Sequence, residues 1–123
     1  MKPQSAKAKG RRFQQEVANS IKKYLPHLKD NDVRSTSMGA NGEDIVLSPC
    51  AEEAFPYTVE CKNTEKLNVW AAIQQSESNV SRQRTPIVAI KKNRHPAYAV
   101  VPWDHFMTLV ASQIRSKADN PPL

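Results

Sequence analysis

The chain has 123 residues, of which 39% are hydrophobic, so it can form a single domain with a buried core and without disulfides. It has 18 Lys and Arg residues against 12 Asp and Glu residues, and the resulting formal net charge of +6 favours a polyanionic partner. No apolar stretch of membrane-spanning length and no signal-peptide pattern occurs, so we expect neither membrane insertion nor secretion. The two cysteines, Cys50 and Cys61, lack the spacing of a zinc site, and we interpret both as reduced thiols in a cytoplasmic protein.

The N-terminal segment is basic and is followed by a helical pattern. Residues 1–12 contain five cations and no acid, and we interpret residues 1–9 as a basic arm. Apolar residues then recur at helical spacing, at Phe13, Val17, Ile21 and Tyr24. This spacing predicts an amphipathic helix from about residue 10 to Leu25, stopped by Pro26. Glu16 falls at the margin of the apolar stripe, where it either leans over a sheet edge or remains a solvated helix glutamate.

Two short strands are expected next, separated by a glycine-containing turn. Residues 32–37 are compatible with a strand, and Gly39 and Gly42 supply a turn before Asp44 and the apolar run that begins at Ile45. Residues 48–56 are polar and interrupted by prolines, so we expect an exposed connection that joins an antiparallel strand pair.

Residues 57–62 alternate with the period of a strand. Tyr57, Val59 and Cys61 fall on one face, which we predict to be the core face. Thr58, Glu60 and Lys62 fall on the other. If the run after Asp44 forms the neighbouring strand, Asp44 can lie beside Glu60. Two carboxylates and an amine at one place suit a divalent metal and a phosphodiester, although an ordinary exposed sheet face has the same composition.

The C-terminal half predicts a helix, a strand pair and a second helix. Asn68 is a candidate N-cap for a helix that carries Gln74 on its flank. The expected buried face of this helix contains Val69, Ala72, Ile73, Ser76 and Val80. Two apolar runs, residues 86–90 and 98–101, are joined by a basic turn at residues 91–96 and indicate a hairpin or an adjacent strand pair.

The last helix is expected to start near Pro102 or Trp103. Its predicted packing face contains Trp103, Phe106, Met107, Val110 and Ile114. Residues 117–123 are polar and end in prolines, which indicates a frayed tail. The predicted order is therefore α-β-β-β-α-β-β-α. We assign the chain to the α/β (α+β) class, with a mixed sheet flanked by helices in one domain.

Several short motifs occur in a recognisable order. The segment Lys9-Gly10-Arg11-Arg12-Phe13-Gln14-Gln15-Glu16 is followed by Gly39-Ala40-Asn41-Gly42-Glu43-Asp44-Ile45, then by Glu60-x-Lys62 and a helix carrying Gln74. In order and spacing the chain resembles the PD-(D/E)xK nuclease superfamily, and in particular its Holliday-junction resolvase branch of the archaeal and phage type. The resemblance spans about residues 7 to 110.

This resemblance implies a restriction-endonuclease-like fold and a magnesium-dependent endonuclease, in which manganese substitutes for magnesium. It implies that Glu16, Asp44, Glu60 and the backbone carbonyl of Cys61 arrange the metal. Lys62 would orient or deprotonate the attacking water, or contact the phosphate, and Gln74 would position a phosphate or the lysine. No proline precedes the aspartate, which is common in this branch but leaves open whether Glu43 or Asp44 is the inward carboxylate. Strand phase favours Asp44, because Ile45 and Leu47 should take the core face.

The remaining cations are consistent with nucleic-acid binding. No acidic residue occurs between Ser78 and Trp103, and no sequence-reading motif is present, so structure-selective contacts to phosphates are expected. The candidate DNA-binding residues are Lys7, Lys9, Arg11, Arg12, Arg34, Ser35, Ser37, Arg82, Arg84, Lys91, Lys92 and Arg94.

Three hypotheses for function follow. The first is a homodimeric endonuclease of DNA recombination and repair that cuts four-way or branched junctions, in the cytoplasm, associated with the nucleoid or encoded by a phage. The homodimer is expected because two matched cuts need two matched active sites. The second hypothesis is a nuclease of the same fold that cuts linear DNA. The third is a DNA-binding module without catalysis.

Overall fold

The computed structural model describes residues 3–36, 43–78 and 84–119 of the chain. Within these ranges the elements in chain order are α1 (Pro3–Tyr24), β1 (Val33–Ser35), β2 (Ile45–Leu47), α2 (Pro49–Ala54), β3 (Tyr57–Asn63), α3 (Val69–Ser78), β4 (Thr85–Lys91), β5 (Tyr98–Val100) and α4 (Trp103–Asp119). The coarse α+β class is confirmed. None of the helices described is both long and apolar enough to cross a membrane.

The first helix begins earlier than its apolar spacing predicts. It starts at Pro3, so residues 3–9 are helical and do not form an arm. The physical reason is local, because proline is tolerated in the first turn and the following Ala and Lys residues are good helix formers. The apolar stripe of α1 begins only at Phe13, and for this reason it gave no signal for the first two turns.

Two small sheets form instead of one. β1 and β2 are antiparallel, with Val33 opposite Leu47 and Ser35 opposite Ile45. The other sheet has the order β3-β4-β5, with β3 parallel to β4 and β4 antiparallel to β5. The β4–β5 pairing confirms the predicted hairpin. Its turn holds Arg94 at a positive φ of 65°, which is uncommon for a residue with a side chain.

The expectation for residues 48–56 was wrong in two respects. This segment contains the helix α2, and it does not join an antiparallel pair, since β2 pairs with β1 and β3 pairs with β4. The Ser48 side chain caps the helix by accepting a hydrogen bond from the Ala51 backbone N–H, and Pro49 stands at the first helical position. Proline there marks a helix start rather than a break.

The core lies between α1 and one face of the two sheets. Helix α1 packs across β1 and β3, and its residues Ala18 and Ile21 join Val33, Ile45 and Val59 in one buried cluster. Helix α3 lies on the opposite face of β3 and β4, where the Ser76 hydroxyl donates a 3.3 Å hydrogen bond to the Ile87 carbonyl. Ala72 and Ser76 are buried as predicted, whereas Val80 lies outside the described residues.

The last helix does not pack as its sequence predicts. Its apolar stripe is exposed, with Trp103 at 71% and Ile114 at 63% of their accessible surface. The helix is instead attached from its other side, where the Tyr57 hydroxyl and His105 Nε2 lie 2.6 Å apart and the two rings meet edge to face. The prediction that this stripe packs within the domain was therefore wrong. Residues 117–119 continue the helix, and 120–123 lie outside the described residues.

Candidate active site on strand β3

The predicted alternation of β3 is confirmed. Val59 belongs to the main core, and Tyr57 and Cys61 pack against that core from the same face. Thr58 and Glu60 point to the opposite face and are buried there, Glu60 to 5% exposure. A strand covered by helices on both faces buries side chains of both phases. The carboxylate of Glu60 is therefore largely withdrawn from solvent.

Lys62 lies next to this buried carboxylate. Its Nζ is 3.5 Å from Glu60 Oε1, and the lysine side chain is 29% exposed. Residues two apart on a strand share a face, so this pair follows from the backbone itself. The pair presents an amine to solvent while the carboxylate remains buried.

Asp44 reaches β3 from the turn that precedes β2. Its Oδ2 accepts a 2.7 Å hydrogen bond from the backbone N–H of Cys61, the residue between Glu60 and Lys62. Burial raises the pKa of the Asp44 carboxyl above its ordinary value of 3.8, although the Cys61 hydrogen bond and the charge of Lys62 act in the opposite direction. Asp44 is thus a partly desolvated carboxylate held at the edge of β3.

The thiol of Cys61 is held in its protonated, weakly nucleophilic form. Burial raises its pKa strongly, and the charges of Asp44 and Glu60 raise it further. Both cysteines are free thiols, as expected. The hydrogen bond from the Cys61 backbone N–H to Asp44 places the Asp44 carboxylate beside the residue that follows Glu60.

The base of the turn before Asp44 is fixed by Thr36. The Thr36 backbone N–H donates to the Asp44 carbonyl at 3.0 Å, and the Thr36 hydroxyl donates to the Glu43 carbonyl at 2.9 Å. The neighbouring Ser35 hydroxyl donates to Gln15 Oε1 on α1 at 3.0 Å. Ser37, the next predicted phosphate contact, lies outside the described residues.

Glu43 and Asp44 point to different partners. Ile45 and Leu47 take the core face, as strand phase predicts. Glu43 Oε1 accepts a hydrogen bond from Arg84 Nη2 at 2.5 Å, and Arg84 Nη1 lies 4.0 Å from Glu52. The arginine side chain is only 8% exposed. Arg84 is therefore an internal ion-pair partner in this structure rather than a surface cation, and it ties the start of β4 to the turn that carries Asp44.

Glu16 lies in a separate polar cleft of about 340 Å³ at the carboxyl ends of β3 and β4. This cleft is lined by Ser5, Lys9, Arg12, Phe13, Glu16, Asn63, Lys91 and Asn93. Glu16 lies at the margin of the apolar stripe of α1, as its helical phase predicts. Lys9 is buried in the cleft wall, 3.8 Å from Glu65, whereas Arg12 is exposed.

The other predicted site residues are dispersed. Gln74 is exposed on α3, and none of its contacts within the described ranges joins it to Asp44, Glu60 or Lys62. The candidate DNA-binding cations Lys7, Arg11, Arg34, Lys92 and Arg94 are exposed, and Lys91 is partly exposed. Arg82 lies outside the described residues.

The donor set suits a hard cation at Asp44 and Glu60. Carboxylate oxygens are the ligands that Mg²⁺ and Mn²⁺ prefer, and a carboxylate with a pKa raised by burial gains from a nearby positive charge. Across residues 3–36, 43–78 and 84–119, no three His, Cys, Asp or Glu side chains gather as a metal-binding group. Glu16 therefore does not join Asp44 and Glu60 in such a group within these ranges.

Sequence reasoning missed two polar residues around this site. Gln15, rather than Glu16, accepts a hydrogen bond from Ser35 at the end of β1. Asn63 follows the Cys61 phase of β3 and lines the cleft with Glu16, and its buried Oδ1 has no hydrogen-bond partner among the residues that the structure describes. The strand period alone could have placed Asn63 on the α1 side.

Comparison of the chain with protein-family models, with curated proteins and with solved structures finds no match. The functional argument therefore depends on the residues and their geometry.

Proposed function

We propose that this protein is a magnesium-dependent DNA endonuclease of the Holliday-junction resolvase type, with a restriction-endonuclease-like arrangement of its sheet and helices. One observation carries the proposal. The Asp44 carboxylate accepts a hydrogen bond from the backbone N–H of Cys61, and Cys61 is the residue between the buried Glu60 and Lys62 with its partly exposed amine. Burying two carboxylates beside a lysine costs stability, and a catalytic site is a reason for a protein to keep them.

The proposed chemistry assigns a role to each residue. Asp44 and Glu60 would hold Mg²⁺ or Mn²⁺, which when bound supplies charge stabilisation at the phosphoryl group and acidifies a water. Lys62 is partly exposed, and its amine would orient or deprotonate the attacking water, or contact the scissile phosphate. Glu16 would act from the neighbouring cleft, which it lines together with Arg12 and Lys91, and Gln74 on α3 would position a phosphate of the DNA.

The charge distribution supports DNA as the substrate. Arg12 and Lys91 line the same cleft as Glu16, and Lys92 and Arg94 extend the positive surface along the β4–β5 turn. Contacts between such cations and phosphates give affinity without sequence preference. A junction binder that reads shape needs no base-reading element, and two symmetric cuts require two copies of the site.

The test uses the purified chain with a labelled four-way junction and a linear duplex of matched sequence, each in Mg²⁺ and in EDTA. We expect symmetric nicking of the junction only in Mg²⁺. Asp44→Asn and Glu60→Gln should lower the rate by more than about 100-fold while junction affinity stays near the wild-type value. Asp30→Asn is the matched control and should cut normally, because Asp30 is an exposed aspartate in the loop after α1, where its carboxylate pairs with Lys22.

Each other outcome points to a different conclusion. Equal cutting of duplex and junction would identify a nuclease for linear DNA. Binding with no cleavage in either Mg²⁺ or Mn²⁺ would leave a DNA-binding module. Near-normal cutting by Asp44→Asn would refute the proposed site, whatever the substrate.

A further inference from the structure

Helix α4 carries an apolar stripe that residues 3–36, 43–78 and 84–119 leave exposed. Trp103, Phe106, Met107 and Ile114 follow helical spacing, and they are exposed to 71%, 45%, 43% and 63% respectively. The helix is held to the body by His105, which lies on the opposite side of the helix from Trp103. The stripe is therefore left exposed, and α4 is attached to the described part of the domain by its other side.

The stripe continues onto helix α3 and the sheet. Trp103 and Trp70 line one open groove of about 330 Å³ together with Ile73, Val88 and Val100. Among the described residues, the only charged side chain that lines this groove is Glu77. Trp70 is 77% exposed. We call Trp70, Trp103, Phe106, Met107 and Ile114 the apolar patch.

The size of the apolar patch is that of an interface. Large apolar side chains carry about 150–250 Å² each, so the patch exposes roughly 600 Å² of side-chain surface. The largest apolar patch on a typical monomer is about 300–600 Å², and a standard interface buries about 800 Å² on each partner. The patch therefore supplies about three quarters of the surface that each partner of a standard interface buries.

The charges beside the stripe select a second copy of this chain as the occupant. Asp104 and Arg115 lie about three helical turns apart on the same flank of α4, on either side of the middle of the stripe. When two such helices pair antiparallel about a two-fold axis, the same flanks meet. Asp104 of each copy then lies opposite Arg115 of the other, so the helix is complementary to itself.

We infer that the protein is a homodimer whose two-fold axis passes near the middle of α4, with the apolar patches of the two copies packed together and the α4 helices antiparallel. The inference names the surface for the dimer that the proposed function requires, and in that sense it rests on the proposed function. Its physical argument needs only the exposed patch and the charges of α4.

The first experiment measures the self-association of the full chain by sedimentation equilibrium at micromolar concentrations. We expect wild type to be dimeric. Trp103→Glu should raise the dimer dissociation constant by at least about 30-fold, the change expected for a tryptophan at the centre of an interface. Ile114→Glu should act in the same direction. Tyr24→Glu is the matched control, because Tyr24 is 74% exposed at the end of α1, and it should leave the dimer intact.

The second experiment tests the orientation of the helices. Asp104→Arg and Arg115→Asp should each weaken self-association. An equimolar mixture of the two variants should form a heterodimer, because each Arg then meets an Asp. A parallel two-fold arrangement would place the flanks that carry Asp104 and Arg115 on opposite sides of the helix pair, so mixing the two variants would not give this rescue.

The outcomes separate this inference from the proposed function. A wild-type monomer, or a Trp103→Glu variant that dimerises normally, would overturn the dimer inference. A failed rescue in the mixture would overturn the antiparallel arrangement. A monomer that still nicks DNA would leave the nuclease proposal standing, and a dimer that cuts neither junction nor duplex would leave the interface standing.

Discussion

At the scale of single residues, Asp44 combines burial with a fixed backbone contact. The raised pKa means that the folded protein binds a proton at Asp44 more readily than the unfolded chain does. Without metal, the carboxylate therefore opposes folding at neutral pH. This loss of folding stability is present when the pH is above the pKa of Asp44 in the folded protein. It disappears as the pH falls below 3.8, the ordinary pKa of the carboxyl group.

We expect Asp44→Asn to stabilise the metal-free protein at neutral pH. The amide oxygen can still accept the Cys61 hydrogen bond, whereas the desolvated charge is gone. Because the carboxylate is partly exposed, the gain should be below about 1 kcal/mol. Thermal unfolding in EDTA measures it, and the difference from wild type should vanish in acid.

The same variant tests the ligand role independently of cutting. Added Mg²⁺ should raise the melting temperature of wild type and leave that of Asp44→Asn unchanged. Equal stabilisation of both proteins by Mg²⁺ would contradict Asp44 as a ligand. Cys50→Ser, a change to an exposed thiol, is a suitable reference for nonspecific ion effects.

Two roles of Arg84, one structural and one in DNA binding, predict different effects of its replacement. Its side chain is buried against Glu43, so Arg84→Met should leave a buried carboxylate without this partner. Such a loss costs about 3 kcal/mol. The double variant Arg84→Met with Glu43→Gln should recover part of that loss, as urea denaturation would measure.

A surface role for Arg84 predicts a different pattern. Stability would then hardly change, and DNA affinity alone would fall. Arg34→Met provides the comparison, because Arg34 is an exposed cation on the neighbouring strand β1. Its replacement should leave unfolding within about 0.5 kcal/mol of wild type.

At the scale of elements, α3 matters because it covers the face of β3 that carries Glu60. The start of α3 is fixed by Asn68, whose Oδ1 accepts a 3.0 Å hydrogen bond from the Ala71 backbone N–H. This confirms the predicted N-cap. We expect Asn68→Ala to cost about 1 kcal/mol in unfolding free energy and Asn68→Ser to be nearly neutral. Equal losses for the two variants would show that the cap is not the cause.

The structural features that were predicted correctly are those whose sequence signal comes from neighbouring residues. The strand period of β3, the cap of α3 and the β4–β5 hairpin depend on neighbouring residues, and all three are confirmed. The α2 helix was missed because its prolines were interpreted as breakers, although Pro49 occupies a first-turn position. The early start of α1 was missed because its first two turns have no apolar stripe.

At the scale of the whole molecule, the positive charge of the chain predicts a salt-dependent affinity for DNA. The dissociation constant should rise steeply with salt, since phosphate contacts release counterions. Arg12→Gln, which removes a cation from the cleft beside Glu16, should reduce the salt slope by about one unit. Lys23→Gln removes an exposed charge from the far end of α1 and should leave the slope unchanged. Equal salt slopes for Arg12→Gln and Lys23→Gln would contradict a contact between the cleft and the DNA phosphates.

The sequence by itself determined the class of the fold, the face of β3 that carries Glu60 and Lys62, and the choice of Ile45 and Leu47 for the core. These features depend on the strand and helix periods, which are properties of the local backbone. The tertiary structure alone decided that β3 pairs with β4 rather than β2, that Asp44 bonds at Cys61, and that Arg84 is buried against Glu43. Such contacts join residues distant in the chain, and no local period encodes them. The stripe of α4 illustrates the same limit. An apolar stripe specifies that a helix face needs a partner, and only the tertiary arrangement shows that the described residues of the domain leave this face exposed.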